Sequence, residues 1–250
     1  MAKNLGNATL WLPLWLCAAL LIHPTAVRGQ ADSGAIECWD VFEVSLKGPS
    51  SGNPLRDVTL AAYFTHEDLT VEMSGFYDGE GIYRIRFMPH EQGSWSYLTS
   101  SNVTELDGIT GTFRVTAPSP GNHGPVRVSD QYHFAYADGK RFFPVGTTLY
   151  CWQLERYSET LATLENSAIN KVRFMPFPHS GNKFPPHNPW EGSANNWDFD
   201  RPNPEFWRFM EGAVKDLRDR GIQADFIFFH PYESGGRNTW GLGPEEMTAA

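Results

Sequence analysis

Aromatic, histidine and arginine side chains lie within or just after three apolar runs of this sequence, at residues 143–150, 170–177 and 222–230. Where parallel strands lie side by side, ligands are bound just past their carboxyl ends. Aromatic rings beside polar groups suit a sugar, because its apolar face stacks on rings while its hydroxyls form hydrogen bonds. The pattern therefore predicts a site for a carbohydrate-like ligand.

The candidate ligand-binding residues follow these runs or lie in the loop at positions 178–202, which is too long for a simple connector. They are Tyr150, Trp152, His179, Trp190, Trp197, Tyr232, Glu233 and Trp240. For each ring, the alternative is that it packs the loops against the sheet. Four of the seven tryptophans after residue 29 lie at these positions, which favours a shared role in binding.

Two further residues stand out because they are polar within apolar runs. Arg173 lies in Val-Arg-Phe-Met-Pro, where an unpaired guanidinium would be costly to bury. It should therefore meet a carboxylate, either a structural partner or a catalytic one. His230 ends Phe-Ile-Phe-Phe-His, where it can bind a substrate hydroxyl, a catalytic carboxylate or the neighbouring backbone.

The sequence does not identify a catalytic pair of carboxylates. Glycoside hydrolysis uses two carboxyl groups about 5–9.5 Å apart. Glu155 and Glu233 are the carboxylates nearest the ends of the runs, but no feature of the sequence places them at that separation. We do not expect them to be the catalytic pair.

The elements that position these residues fall into two parts. The chain has 250 residues, of which 41% are hydrophobic, enough for one large or two medium domains with filled cores. Residues 30–117 show short alternating apolar runs separated by turn residues, which predicts an antiparallel β-sandwich. The runs are at residues 41–46, 58–64, 69–73, 81–87, 95–98 and 111–115.

A change of pattern follows residue 117. Residues 118–130 begin with a stretch rich in Pro and Gly, which predicts a linker, and Asp138-Gly139 predicts a β-hairpin. Helices are expected at residues 158–168 and 204–220, the second with Asn203 as N-cap, Pro204 in its first turn and Gly221 after its end. A third is expected to begin near residue 243.

Three strand-then-helix units in series predict parallel strands joined by right-handed crossovers. We therefore expect residues 131–250 to form the first part, about three βα units, of an α/β (β/α)₈ TIM barrel. A complete barrel needs roughly 250 residues. The sequence thus predicts the N-terminal portion of a longer enzyme.

Residues 1–29 have the features of a secretory signal peptide. Lys3 provides a basic start, residues 10–22 are mainly apolar, and a cleavage site is expected before Gln30. The alternative is an N-terminal membrane anchor, although this run is shorter than the ~20 residues of a spanning helix. We expect a secreted or periplasmic protein with no membrane attachment after cleavage.

Charge and cysteine content narrow the choice of partners. Removing Lys3 and Arg28 leaves 18 basic and 29 acidic residues, a net charge of −11, which repels phosphate backbones and disfavours nucleic acid. Cys38 and Cys151 allow at most one disulfide, and we expect two free buried thiols. No Cys/His cluster has metal-ligand spacing, so neither a metal nor a cofactor is predicted.

Three stretches of the sequence carry a resemblance to a known family. They are Phe-Phe-Pro-Val-Gly-Thr-Thr-Leu-Tyr-Cys-Trp from residue 142, Ile-Asn-Lys-Val-Arg-Phe-Met-Pro from residue 169 and Asp-Phe-Ile-Phe-Phe-His-Pro-Tyr from residue 225. With the preceding β region, they resemble secreted apiosidase-like glycoside hydrolases, which carry an immunoglobulin-like domain before a (β/α)₈ barrel. The resemblance covers essentially all of the chain after the signal peptide.

The resemblance implies roles for two residues and a location for the chemistry. In the large retaining-glycosidase superfamily, to which the second and third stretches are also similar, the arginine orients the nucleophile and the histidine lines the adjacent sugar subsite. Arg173 and His230 would take these roles. The catalytic carboxylates of that family follow later strands, which here would lie beyond Ala250, so this chain alone is expected to be inactive.

Two alternatives to an enzyme acting on a plant or microbial polysaccharide remain open. One is a non-catalytic, secreted carbohydrate-binding protein. The other is an adhesion or matrix module whose β domain contacts a protein partner. The sequence does not decide the sugar, the linkage or the oligomeric state.

Overall fold

The structure is a computed structural model that describes residues 34–177, 187–193 and 196–228. The predicted signal peptide, the expected helix near residue 243 and several candidate site residues lie outside the described residues. The domain boundaries at 30–117, 118–130 and 131–250 stay predictions.

Seven strands of the N-terminal part form one hydrogen-bonded sheet in the order β1-β7-β6-β3-β4-β5-β2. The strands are β1 (Ala35–Glu37), β2 (Phe42–Lys47), β3 (Leu60–His66), β4 (Leu69–Tyr77), β5 (Ile82–Phe87), β6 (Gly93–Ser101) and β7 (Thr110–Thr116). A four-residue helix, α1 (Pro54–Asp57), precedes β3. All six predicted runs overlap strands of this sheet, whereas β1 has no counterpart among the sequence predictions.

Strand β4 connects the two halves of this sheet. Its first six residues, 69–74, pair with β3, and residues 75–77 pair with β5. Phe42 on β2 stacks on Phe113 on β7 with a centroid distance of 3.7 Å, and Phe64 is fully buried between them and Phe87. The sheet therefore wraps around an aromatic core and is nearly closed.

The predicted fold class is wrong. The predicted combination was an immunoglobulin-like sandwich followed by the first part of a TIM barrel, but the structure is a mostly β fold with a nearly closed, seven-stranded mixed sheet and few helices. The sheet is mixed because β1 pairs parallel to β7, with Ile36 opposite Val115. Alternation of apolar residues marks strands, but it does not determine whether β4 divides two sheets or joins them.

Shorter elements make up the rest of the described chain. Strands β8 (Val126–Ser129), β9 (His133–Tyr136) and β10 (Arg141–Phe142) form an antiparallel sheet, and β11 (Gly146–Thr148), β12 (Lys171–Phe174) and β15 (Gln223–Phe226) form a parallel one. Strands β13 (Trp190–Ser193) and β14 (Asn196–Pro202) form a hairpin. Gly139, with φ +88°, closes the predicted β9–β10 hairpin.

Helices α2 (Trp152–Glu155), α3 (Tyr157–Glu165) and α4 (Pro204–Arg218) cover one face of the parallel sheet. The Oδ1 atom of Asn203 accepts from the amide of Glu205 at 3.0 Å, so Asn203 is the N-cap of α4 as predicted. The buried side of α4 presents Phe206, Met210 and Leu217 to the core formed with the sheet.

No TIM barrel is formed by the described residues. Their parallel sheet has three strands of three or four residues each, shorter than the apolar runs of eight or nine residues in the sequence. Residues such as Tyr150 and Phe177 continue those runs beyond the strand ends. Three strands joined by crossovers form an open sheet, and apolar periodicity alone does not predict closure.

Both cysteines of the described chain are buried and unpaired, as predicted for Cys38 and Cys151. Over residues 34–177, 187–193 and 196–228, no helix is long and apolar enough to cross a membrane.

Candidate functional site

The open face of the parallel sheet carries a row of polar residues. Thr148 on β11, Arg173 on β12 and Asp225 on β15 lie in register across the three strands. Val172 and Phe174 point to the opposite, buried face, because side chains alternate along a strand. The row lies next to the carboxyl ends of the strands, where the sequence predicts the ligand site.

Arg173 meets the carboxylate that the sequence predicts for it. Its Nε donates to Oδ2 of Asp225 at 3.1 Å, and Nη2 lies 3.0 Å from the same atom. Lys171 Nζ lies 3.4 Å from Oδ2. The carboxylate of Asp225 thus contacts two cationic side chains, Arg173 and Lys171.

The premise for expecting that partner was wrong, because Arg173 is not buried. Its side chain is 56% exposed, against 26% for Asp225. The guanidinium is therefore held in place by the carboxylate while remaining accessible to a ligand. Planar charged groups with fixed orientations give directed hydrogen bonds to hydroxylated or anionic ligands.

The predicted aromatic residues differ in their exposure. The Tyr150 ring, just past the end of β11, is 48% exposed. Trp152 and Trp190 are 4% and 8% exposed, and Trp197 is half-buried against the same core. Trp152 packs on Phe174, and Trp190 packs on Phe177. Trp152 and Trp190 therefore pack in the core, which was the alternative to stacking on a sugar. The ring of Tyr150 is accessible to a ligand.

Two buried polar atoms lie directly after Tyr150 without a hydrogen-bond partner in the described part of the chain. They are Nε1 of Trp152 and Oε1 of Gln153. Gln153 Nε2 donates to the carbonyl of Met175 at 2.8 Å, which fixes its amide at the ends of β11 and β12. A buried unpaired polar atom costs about 1–3 kcal/mol, so these atoms mark the strand ends as a place where a further polar partner would be stabilising. Gln153 was missed by sequence analysis because it lies in no periodic run.

Cys151 lies in the same segment, but burial makes it a poor nucleophile. Burial and the nearby Glu155 carboxylate raise the pKa of Cys151 to about 11. The thiol is therefore protonated near neutral pH, whereas the thiolate is the reactive form. Glu155 itself is exposed at the end of α2.

Five predicted site residues lie outside the described residues: His179, His230, Tyr232, Glu233 and Trp240. Their roles stay predictions. Within residues 34–177, 187–193 and 196–228, no group of three or more His, Cys, Asp or Glu side chains is arranged to hold a metal ion.

Comparison with known proteins adds a family model and several solved structures. The model of a Domain of unknown function, DUF5060, matches residues 35–102, which span β1 to β6. No curated protein matches the chain. The apiosidase-like resemblance is tested by neither finding and stays a prediction.

A solved structure from Bacteroides vulgatus ATCC 8482, described as that of a candidate glycoside hydrolase, is 40% identical in sequence, with a TM-score of 0.76. The alignment covers 83% of this chain and 43% of that protein, so the chain spans less than half the length of this relative.

Two other glycoside hydrolases align at low similarity. A family 39 glycoside hydrolase from Bacteroides cellulosilyticus WH2 is 13% identical over 84% of this chain and 36% of that protein, with a TM-score of 0.23. A Bacteroides ovatus GH5 xyloglucanase is 11% identical over 78% of this chain and 43% of that protein, with a TM-score of 0.22. At these TM-scores, neither alignment carries an argument about function.

Proposed function

We propose that this chain is the carbohydrate-binding part of a secreted glycoside hydrolase that cleaves O-glycosidic bonds in a plant or microbial polysaccharide. The observation that carries the proposal is the row formed by Thr148, Arg173 and Asp225 beside the exposed ring of Tyr150. A sugar can stack on such a ring while its hydroxyls bond to the polar row. The 40% identity to a candidate glycoside hydrolase supports the same class of ligand.

In this proposal Arg173 is a positioning residue. Asp225 is engaged by Arg173 and Lys171 through one oxygen, so we assign it to holding the arginine and not to proton transfer. The two carboxyl groups that hydrolysis requires would lie outside the described residues. His230 would contact the sugar next to the bond that is cleaved.

The test is binding and hydrolysis of oligosaccharides by the full chain. Isothermal titration with neutral fragments of plant and microbial polysaccharides should give binding of at least one. Arg173→Met and Asp225→Asn should each weaken it at least ten-fold with unchanged melting temperature. The matched control is Arg156→Met, because Arg156 is 77% exposed and lies in the connection between α2 and α3; it should bind as the wild type does.

Release of reducing ends, measured on the same samples, separates the enzyme from the alternative. We expect binding without turnover by the chain of 250 residues and turnover by a longer protein that contains it. Binding without turnover by both would identify a non-catalytic carbohydrate-binding protein. Failure of every oligosaccharide to bind, or wild-type binding by stable Arg173 and Asp225 variants, would overturn the proposed role of this face.

A further inference from the structure

A cavity lies at the amino end of β15, away from the candidate site at the carboxyl ends of the parallel strands. It has a volume of about 530 Å³, within the range of about 300–1,000 Å³ that is typical of small-ligand sites. Its walls come from the Trp39–Asp40 corner between β1 and β2, the segment at 119–124, Tyr136 of β9 and the residues after α4. The cavity therefore lies between the seven-stranded sheet and the rest of the chain, and we call it the seam cavity.

Trp39 occupies this corner in an unusual backbone conformation. Its φ is +68°, a left-handed value that bulky residues rarely adopt, and such conformations cost about 1–3 kcal/mol and cluster at binding and catalytic sites. The Trp39 amide donates to the carbonyl of Pro89 at 2.8 Å. A Cβ atom on Gly124 would lie 2.6 Å from the indole, so only glycine leaves room for this ring.

Three lining side chains have hydrogen-bonding groups that are not used within the described part of the molecule. They are the indole N–H of Trp39, the hydroxyl of Tyr136 and the amide of Gln223. All three residues are only half-buried, so water can satisfy them in the free protein. A ligand with several hydroxyls can replace that water at little cost, because each exchanged hydrogen bond is nearly neutral in free energy.

The charged groups of the cavity favour a neutral ligand. Asp40, Arg218 and Asp219 together contribute one excess negative charge to the lining, which disfavours an anion. Both carboxylates already face cations, because Arg218 lies 3.6 Å from Asp40 and 3.1 Å from Asp219. They can still accept hydrogen bonds from hydroxyls, but they are not available as a pair for a metal ion.

Several hydrogen bonds hold the part of the lining formed by residues 119–124. Asn122 Nδ2 donates to the carbonyl of Cys38 at 3.0 Å, and its Oδ1 accepts from the Gly124 amide at 3.2 Å. The amide of Ser119 donates to Glu37 at 2.9 Å. A wall fixed in this way reduces the ordering cost of binding.

We propose that this seam cavity is a binding site for a neutral oligosaccharide of two or three sugar units, distinct from the site at the carboxyl ends of the parallel strands. The ring faces of Trp39 and Tyr136 would stack on the sugar, and the carboxylates and Gln223 would bond its hydroxyls. This site does not rest on the proposed function, because a non-catalytic protein could use it equally.

The variant that tests the proposal fills the cavity without disturbing the core. Gly121 lines the cavity, is exposed, and has space around the position where its Cβ would lie. Gly121→Trp should therefore fold normally and block the site. Gly212→Trp is the matched control, because Gly212 is also exposed with open space at Cβ but lies on α4, away from this cavity.

Cellotriose, xylotriose and mannotriose are titrated separately into the full chain and its variants, with melting temperatures measured in parallel. We expect at least one triose to bind, with affinity reduced at least ten-fold in Gly121→Trp, several-fold in Tyr136→Phe, and unchanged in Gly212→Trp. No binding of any triose would overturn the proposal. So would wild-type affinity in a stably folded Gly121→Trp variant, which would place the bound triose outside this cavity.

Discussion

Arg86 and Glu211 are 125 positions apart in the sequence and form a bidentate ion pair between β5 and α4. Nη2 of Arg86 donates to Oε2 of Glu211 at 3.1 Å, while Nη1 contacts Oε1. The same guanidinium donates to Glu43 at 2.7 Å and lies 4.9 Å over the ring of Phe76. Arg86 therefore fixes the helix against the sheet through several partners at once.

Glu211→Gln should lower the free energy of unfolding by about 1 kcal/mol, because it leaves Arg86 with one carboxylate partner at a partly exposed position. Urea denaturation of the wild type, Glu211→Gln, Arg86→Met and the double variant would give the coupling energy. Glu159→Gln is the control, since Glu159 and Arg156 are both 77% exposed at 3.8 Å, and it should change stability by less than about 0.5 kcal/mol. A coupling energy of zero would show that the pair does not contribute.

Two glycine-to-alanine substitutions should have opposite effects. Gly212 is exposed within α4, and a Cβ there meets nothing, so Gly212→Ala should stabilise the protein by about 0.5–1 kcal/mol. At Gly75, a Cβ would lie 2.7 Å from Leu60 and 3.0 Å from Ile85, so Gly75→Ala should destabilise it by about 1–3 kcal/mol. Urea midpoints would test both, and a shift of the two variants in the same direction would contradict the packing around Gly75.

Cys151 should be protected from alkylation in the folded protein. Burial first, and then Glu155, raise its pKa from the ordinary 9.0 to about 11, so little thiolate forms at pH 8.5. We expect iodoacetamide to label the Cys151 peptide at least ten-fold more slowly than in urea-unfolded protein, as measured by mass spectrometry. Equal rates would show that the thiol is accessible.

The same pKa difference predicts a loss of stability at alkaline pH. Between about pH 9 and 11 the thiol of Cys151 ionises in the unfolded chain while it stays protonated in the folded one. The unfolded state is therefore favoured as pH rises through this window, whereas below pH 9 both states bind the proton equally. Cys151→Ala should reduce the loss of stability between pH 8 and pH 10 relative to the wild type.

Local signals in the sequence predicted elements, whereas the pairing of elements needed the structure. Asn203 and Pro204 identified the start of α4, because capping depends only on neighbouring residues. The helix ends at Arg218, two residues before the predicted end, and Gly221 follows with φ +71°. Strand β1 was missed because it has three residues, and its parallel partner β7 lies about 80 positions away. Three residues are too few to show the alternation of apolar and polar side chains that predicts a strand.

In the candidate site, too, the sequence predicted the types of residue involved, whereas their partners became known only from the structure. A carboxylate partner for Arg173 was expected because its charge lies in an apolar run, but the identity of that partner as Asp225 depends on the register of β12 and β15. Trp152 was expected to face a ligand, yet it is buried by Phe174 and Tyr157. Residue type cannot distinguish a stacking ring from a core ring, because both are apolar surfaces that leave water. The seam cavity was not predicted because Trp39 and Tyr136, far apart in the sequence, line the same cavity only in the folded chain.

Strand β4 constrains insertions and deletions in the seven-stranded sheet. Its residues 69–74 follow the register of β3 and residues 75–77 follow that of β5. A single residue added near Gly75 can preserve one ladder only by shifting the other, and a shift of one residue turns every following side chain to the opposite face. The length of this one strand is thus set by two partners, and we expect changes of chain length to be accepted in the turns on either side of β4 and not within it.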